Sequence, residues 1–165
     1  MRIGPAEPRD LPDVQRIYGH YVATSVATFE ESAPDLAWWA GRLRDLTQAG
    51  LPFLVARDGV HVVGYAYAGP FRPRPAYRHT VEDSVYVDPG CTGRGVGRAL
   101  LAALLAGCAD AGARQVIAVI ADTGDDASGA LHRALGFTDA GRLAGVGHKH
   151  GRWVDTLLMQ RDLTG

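Results

Sequence analysis

A chain of 165 residues with 47% apolar side chains is long enough for one globular domain with a full core, and residues 1–165 are read as that single domain. Its 17 basic and 18 acidic residues nearly cancel and form no block of one sign, which disfavours nucleic acid as a partner. The longest apolar run, Ala99 to Ala109, is too short to cross a bilayer, no signal-like segment opens the sequence, and Cys91 and Cys108 are expected to be reduced, so the expected compartment is the cytoplasm and no membrane partner is expected.

In chain order, Arg2 to Ala6 reads as a short first strand. Asp10 stands where it would cap a helix with Pro12 in its first turn, and Leu11, Val14, Ile17, Tyr18, Tyr21 and Val22 recur at helical spacing. A second helix opens at Ser32-Ala33-Pro34-Asp35, aligns Leu36, Trp39, Leu43 and Leu46, and is stopped by Gly50 and Pro52. Phe53–Arg57 and His61–Ala68 read as a hairpin around Asp58-Gly59. A proline- and arginine-rich loop, Gly69 to Arg78, leads to a strand over Val81–Val87. Beyond a glycine-rich turn, Val96, Leu100, Leu104 and Cys108 mark a long helix, and Gln115–Ile120 is apolar enough for a buried central strand. A helix over Ala127–Leu135 ends at Gly136; Phe137–Ala144 and Arg152–Gln160 close the chain as strands, with a glycine- and histidine-rich loop between them. This mixture predicts an α+β fold whose sheet is largely antiparallel with one parallel crossover.

The turn Asp88-Pro89-Gly90-Cys91-Thr92-Gly93-Arg94-Gly95-Val96-Gly97-Arg98 joins a strand to that long helix. Helix N-termini present unpaired N–H donors and partial positive charge, and glycines leave those donors unobstructed, so a phosphate suits the position. Val96-Gly97 follows Gly95 where a P-loop needs Lys-Ser/Thr, and Leu100 stands where a dinucleotide fingerprint needs its last glycine, so both patterns fail. The x-x-G-x-G loop of acetyl-CoA-dependent transferases fits. By itself the turn is as readily a strand-to-helix connection without a ligand.

Gly19-His20-Tyr21, Tyr67–Pro70, Thr80–Val87, Val116–Ile120, Leu131–Phe137 and Gly147–Asp155 occur in an order and spacing similar to the phosphinothricin acetyltransferase branch of the GNAT superfamily, which includes methionine sulfoximine/methionine sulfone acetyltransferases. The resemblance covers nearly the whole chain. It implies an α/β sandwich whose central sheet splays between its fourth and fifth strands. It implies acetyl-CoA as co-substrate, held by Val85, Tyr86, Val87, Gly93, Arg94, Gly95, Val96, Gly97, Arg98, Asp125 and Ser128. It assigns Glu82 as the base that accepts the substrate's ammonium proton, and places His132 where many relatives have the tyrosine that protonates the departing thiolate. It sets the amino-acid pocket at Arg72, Pro73, Arg74 and Tyr77 with Glu82, Asp83 and Ser84, guanidinium groups being suited to carboxylate, phosphinate or sulfone oxygens. A homodimer is implied, and no metal.

Two positions depart from the family's habit: Thr92 opens the glycine loop, and Asp125 replaces an asparagine, which as a carboxylate can accept but not donate. Strand alternation puts Glu82, Ser84 and Tyr86 on one face and Asp83 and Val85 on the other. Tyr86 is a second candidate proton donor. His148-Lys149-His150 lacks a Cys or carboxylate at ligand spacing and is read as a loop near the pocket or against a partner; Trp38 and Trp39 are read as core or interface. The competing functions are acetylation of a polyamine or a protein N-terminus, and acyl-CoA binding without catalysis.

Overall fold

Seven strands and four helices, described over residues 1–165 by a computed structural model, form one mixed sheet covered on both faces. The strands are β1 (Arg2–Pro5), β2 (Phe53–Asp58), β3 (His61–Pro70), β4 (Thr80–Val87), β5 (Gln115–Ala121), β6 (Thr138–Lys149) and β7 (Arg152–Asp162). They run in the order β1-β2-β3-β4-β5-β7-β6, every neighbouring pair antiparallel except β4 and β5. This is the α+β arrangement expected from the sequence.

Helices α1 (Leu11–Thr24) and α2 (Leu36–Gln48) cover one face; α3 (Val96–Asp110) and α4 (Ala127–Ala134) belong to the other. Alternation along the strands feeds both cores. Phe53, Val55 and Tyr65 point towards α1 and α2, where Val14, Ile17 and Trp39 are almost fully buried. Ala56, Ala66 and Ala68 point the opposite way, onto Leu100, Leu101 and Leu104 of α3, each fully buried and each contributing roughly 1.5–3 kcal/mol. Gly64 is what lets α3 approach so closely: a Cβ there would lie 2.9 Å from Val96 Cγ1 and 3.2 Å from the Tyr86 carbonyl oxygen. No helix is long and apolar enough to cross a membrane.

The starts of the first two helices differ in kind. Asp35 caps α2 as expected, its carboxylate accepting from Trp38 N–H at 2.8 Å. Asp10 does not cap α1. A short 3-10 turn, Pro8–Asp10, precedes the helix, and the buried Asp10 carboxylate instead accepts from Glu7 N–H and grips Arg57 through two bonds, at 2.6 and 3.0 Å.

The expected loop between the last two strands is mostly strand. β6 continues to Lys149, absorbing Gly141 and Gly145 in register shifts against β7, and only His150-Gly151 turns, with φ of 50° and 71° as a two-residue hairpin requires. Gly145, which reads as loop punctuation, here lies in a bulge.

β3 also runs further than expected, to Pro70, and this places Gly69 opposite Glu82 of β4. β4 and β5 pair only from Thr80 to Glu82 against Gln115 to Ile117. Beyond Glu82 the two strands part, so the sheet splays between its fourth and fifth strands in sequence, as the resemblance implied.

Candidate active site

The parting of β4 from β5 opens a cleft of about 730 Å3 that starts at Glu82 and runs to the first turn of α3. Val85 and Val87 line one wall, Ala118 and Ile120 the other. The first hydrogen bond within α3 runs from Ala99 N–H to the Gly95 carbonyl, and no side chain caps the helix. The N–H groups of Val96, Gly97 and Arg98 are therefore left for a guest, with the positive end of the helix dipole behind them. Gly93 and Gly95 adopt φ of 74° and 80°, the left-handed conformation that bends the chain into this cradle and strains any other residue. Gly93, Gly95, Val96, Gly97 and Arg98 line the cleft; Arg94 is exposed and does not.

Strand alternation divides the head of the cleft. Glu82, Ser84 and Tyr86 face the α1/α2 side, opposite Gly69, Tyr67 and Tyr65 in the ladder with β3. Tyr86 packs among Tyr18, Tyr21 and Tyr65, with ring centroids 5.2, 5.5 and 5.6 Å away, and its hydroxyl lies beside Thr28. Burial pushes the Tyr86 phenol well above its ordinary range, so it stays protonated. Burial also raises the Glu82 carboxyl, the negative charge of Asp83 adds to the rise, and the Arg42 guanidinium opposes it. A half-buried carboxylate held closer to neutrality than usual is a better proton acceptor than a solvated one.

Asp83 points to the α3/α4 side and meets His132. Imidazole Nε2 lies 2.7 Å from Asp83 Oδ2, and Nδ1 lies 2.7 Å from the Ser128 carbonyl oxygen, which can only accept. Both side chains are nearly inaccessible, at 5% and 2% exposure. Burial alone would lower the His132 pKa, but the hydrogen bond to Asp83 and its charge outweigh it, so the imidazole is held above its ordinary value. The nearby Cys108 thiol is pushed up to about 12, by burial first and by the Asp83 charge second. Two expectations change here. His132 borders the cleft, yet both of its nitrogens are committed, so it has no free N–H to give a leaving group. Asp83, expected to contact substrate, turns its carboxylate to His132 instead.

The loop expected to form the amino-acid pocket stands apart from the cleft. Arg72, Pro73, Arg74 and Tyr77 are exposed and line none of it; the Arg72 guanidinium lies over Phe71 at 5.0 Å, and Phe71 meets Tyr77 edge-on. The loop does spring from the end of β3 and return at Thr80, tied by Phe71 N–H to the Thr80 carbonyl, so it borders the Glu82 end of the sheet. Asp125 and Ser128 line the cleft, but the Asp125 carboxylate is occupied in accepting Ala127 N–H at 2.9 Å at the start of α4. His148 lies in β6 against Trp153, Lys149 is buried and donates to the Thr28 carbonyl, and His150 forms the turn. Trp39 is core and Trp38 is partly exposed. The sequence reading missed Arg42, one turn beyond Trp38 on α2. Its only signal there was a basic residue bordering the apolar stripe.

A sheet splayed around an uncapped, glycine-led helix terminus, with a half-buried carboxylate at its head, defines an acyl-group transferase. The Acetyltransferase (GNAT) family matches residues 14–137, and the chain belongs to it. A phosphinothricin N-acetyltransferase of Alcaligenes faecalis is 51% identical, over 93% of this chain and 78% of that one. An L-methionine sulfoximine/L-methionine sulfone acetyltransferase of Pseudomonas paraeruginosa is 41% identical, over 93% of this chain and 90% of that one. The crystal structure of a phosphinothricin acetyltransferase from Sinorhizobium meliloti in complex with AcCoA superposes with a TM-score of 0.94 at 47% identity, covering 98% of this chain and 88% of that one.

Proposed function

We propose that this chain acetylates the α-amino group of a small amino acid with an oxygen-rich head, of the phosphinothricin, methionine sulfoximine or methionine sulfone type, using acetyl-CoA. The observation that carries the reading is the pairing of free amides at the start of α3 with Glu82 at the other end of the same cleft. Relatives that bear these substrates' names cover nearly all of the chain. Acetyl-CoA would supply an acyl group already activated as a thioester. The N–H groups of Val96, Gly97 and Arg98 would hold its pyrophosphate, and the edge of β4 beyond Glu82 would lie along its arm.

In this mechanism both substrates are bound together. Glu82 accepts one proton from the substrate ammonium, freeing the nitrogen lone pair for attack on the thioester carbonyl. As the carbon–sulfur bond breaks, the second nitrogen proton passes to the sulfur, and Tyr86, which burial keeps protonated on the Glu82 face, is the hydroxyl placed to hydrogen-bond it. His132 acts as a positioning residue that ties α4 to β4. The residues 1–165 are read as one domain because both cores share one sheet. A cytoplasmic location suits two free thiols, Cys91 and Cys108.

The test is thiol release from acetyl-CoA against phosphinothricin, methionine sulfoximine, methionine sulfone, the common amino acids and an alanine-terminated peptide. Release with the first three and little with the peptide is expected; release with the peptide alone would overturn the substrate assignment. A homodimer is proposed from the exposed apolar side chains of β6 and β7, where Leu143, Val146 and Trp153 are 46%, 53% and 73% exposed. Sedimentation should give twice the 17.6 kDa chain mass, and a species at the chain mass would refute the dimer.

A further inference from the structure

Arg42 is the one arginine with an enclosed nitrogen that nothing satisfies. Its Nε is buried and unpartnered, and no carboxylate lies within ion-pair distance of it. Its guanidinium lies 5.0 Å from the Tyr67 ring centroid and 5.8 Å from that of Trp38. Nη2 rests against Gly69, so close that a Cβ there would be 3.1 Å from it. Tyr67 and Gly69 are the ladder partners of Ser84 and Glu82. Arg42 therefore overlies the same two rungs, on the same face of the sheet, as the carboxylate proposed to be the base.

A half-buried guanidinium kept for packing alone would be expected to hold a carboxylate or carbonyl partner, because leaving its donors unsatisfied is costly. This one has its Nε enclosed without a partner, so only its Nη groups are left to meet a guest, and its charge bears on the Glu82 carboxyl. A positive and a negative group on neighbouring rungs are the complement of an amino-acid zwitterion, whose ammonium and carboxylate sit on one carbon. We propose that Arg42 anchors the substrate α-carboxylate while Glu82 receives the α-ammonium. The pair would select free α-amino acids over simple amines, and over peptides, whose first carboxyl group is an amide. The two aromatic rings hold the guanidinium plane in place, and a planar fork suits a carboxylate in two-point contact.

This inference rests on the proposed amino-acid substrate and names one subsite of it. The experiment compares phosphinothricin with its decarboxylated amine in thiol-release assays of the unaltered enzyme, Arg42→Gln and Arg42→Lys. The unaltered enzyme should prefer the amino acid, and Arg42→Gln should cut that preference about 10- to 30-fold, mostly through KM for the amino acid, as loss of one charge-assisted contact implies. Arg42→Lys should recover part of the preference, since it restores charge without the fork. If Arg42→Gln lowers both activities alike, or if thermal melting shows it to be largely unfolded while a folded Arg42→Lys keeps the full preference, the anchor assignment is wrong and the function stands. If the unaltered enzyme acetylates the amine as well as the amino acid, the anchor assignment also falls. If the unaltered enzyme releases thiol with no α-amino acid, both the anchor and the function fall.

Discussion

Glu82→Gln is expected to lower kcat by roughly 10²- to 10⁴-fold, the range supplied by a positioned general base. Gln keeps the shape of the side chain and can still hydrogen-bond an amine, so KM for both substrates should change much less than kcat. The pH profile discriminates further. Because burial raises the Glu82 carboxyl, the unaltered enzyme should lose activity on the acid side as that carboxyl protonates, and Glu82→Gln should lack this limb. The stability sign runs opposite to the activity sign. A carboxyl whose pKa is higher folded than unfolded binds more protons in the native state, so it costs stability as pH rises through that interval. Glu82→Gln should accordingly melt no lower than the unaltered protein at pH 8. Full activity across pH in this variant would remove Glu82 from the chemistry.

The fold was largely legible because its elements announce themselves locally. The α3 stripe from Val96 to Cys108 packs as its spacing implies, and the breaks at Gly50, Pro52 and Gly136 fall where helices stop. The face assignment on β4 was also readable: period two separates Glu82, Ser84 and Tyr86 from Asp83, and the structure keeps them apart. What escaped was decided by partners distant in sequence. Asp10 looks like a helix cap until Arg57, forty-seven positions on, takes its carboxylate. Gly145 and Gly147 look like a loop until β6 runs on through them to pair with β7. His132 looks like a free proton donor until Asp83, forty-nine positions away, occupies it. Arg42 gave almost no signal, since its place over Gly69 and Tyr67 depends on how α2 crosses β3.

Breaking the Asp83–His132 pair should have the largest effect on stability. Asp83→Ala leaves a buried imidazole that donates to the Ser128 carbonyl with nothing facing Nε2, and removing one partner of a buried pair costs about 3–5 kcal/mol. For a domain of this size that is a fall in melting temperature of roughly 6–20 °C. Replacing both partners with apolar residues, as in Asp83→Leu/His132→Leu, should recover much of the loss, because it also removes the desolvation of two charges. The pair should also be visible in pH dependence. The His132 pKa is raised in the folded protein, because the bond to Asp83 and its charge outweigh burial. Its contribution is therefore fully present below the unfolded value of about 6.5 and is lost as pH rises through the folded one. Melting temperature in the unaltered protein should decline over that interval, and the double variant should show no such slope. The pair joins α4 to β4 at the head of the cleft, so Asp83→Ala should also raise KM for acetyl-CoA, with a smaller change in KM for the amino acid. A change in stability within about 0.5 kcal/mol, the range of an ordinary surface substitution, would mean that other contacts hold α4 in place.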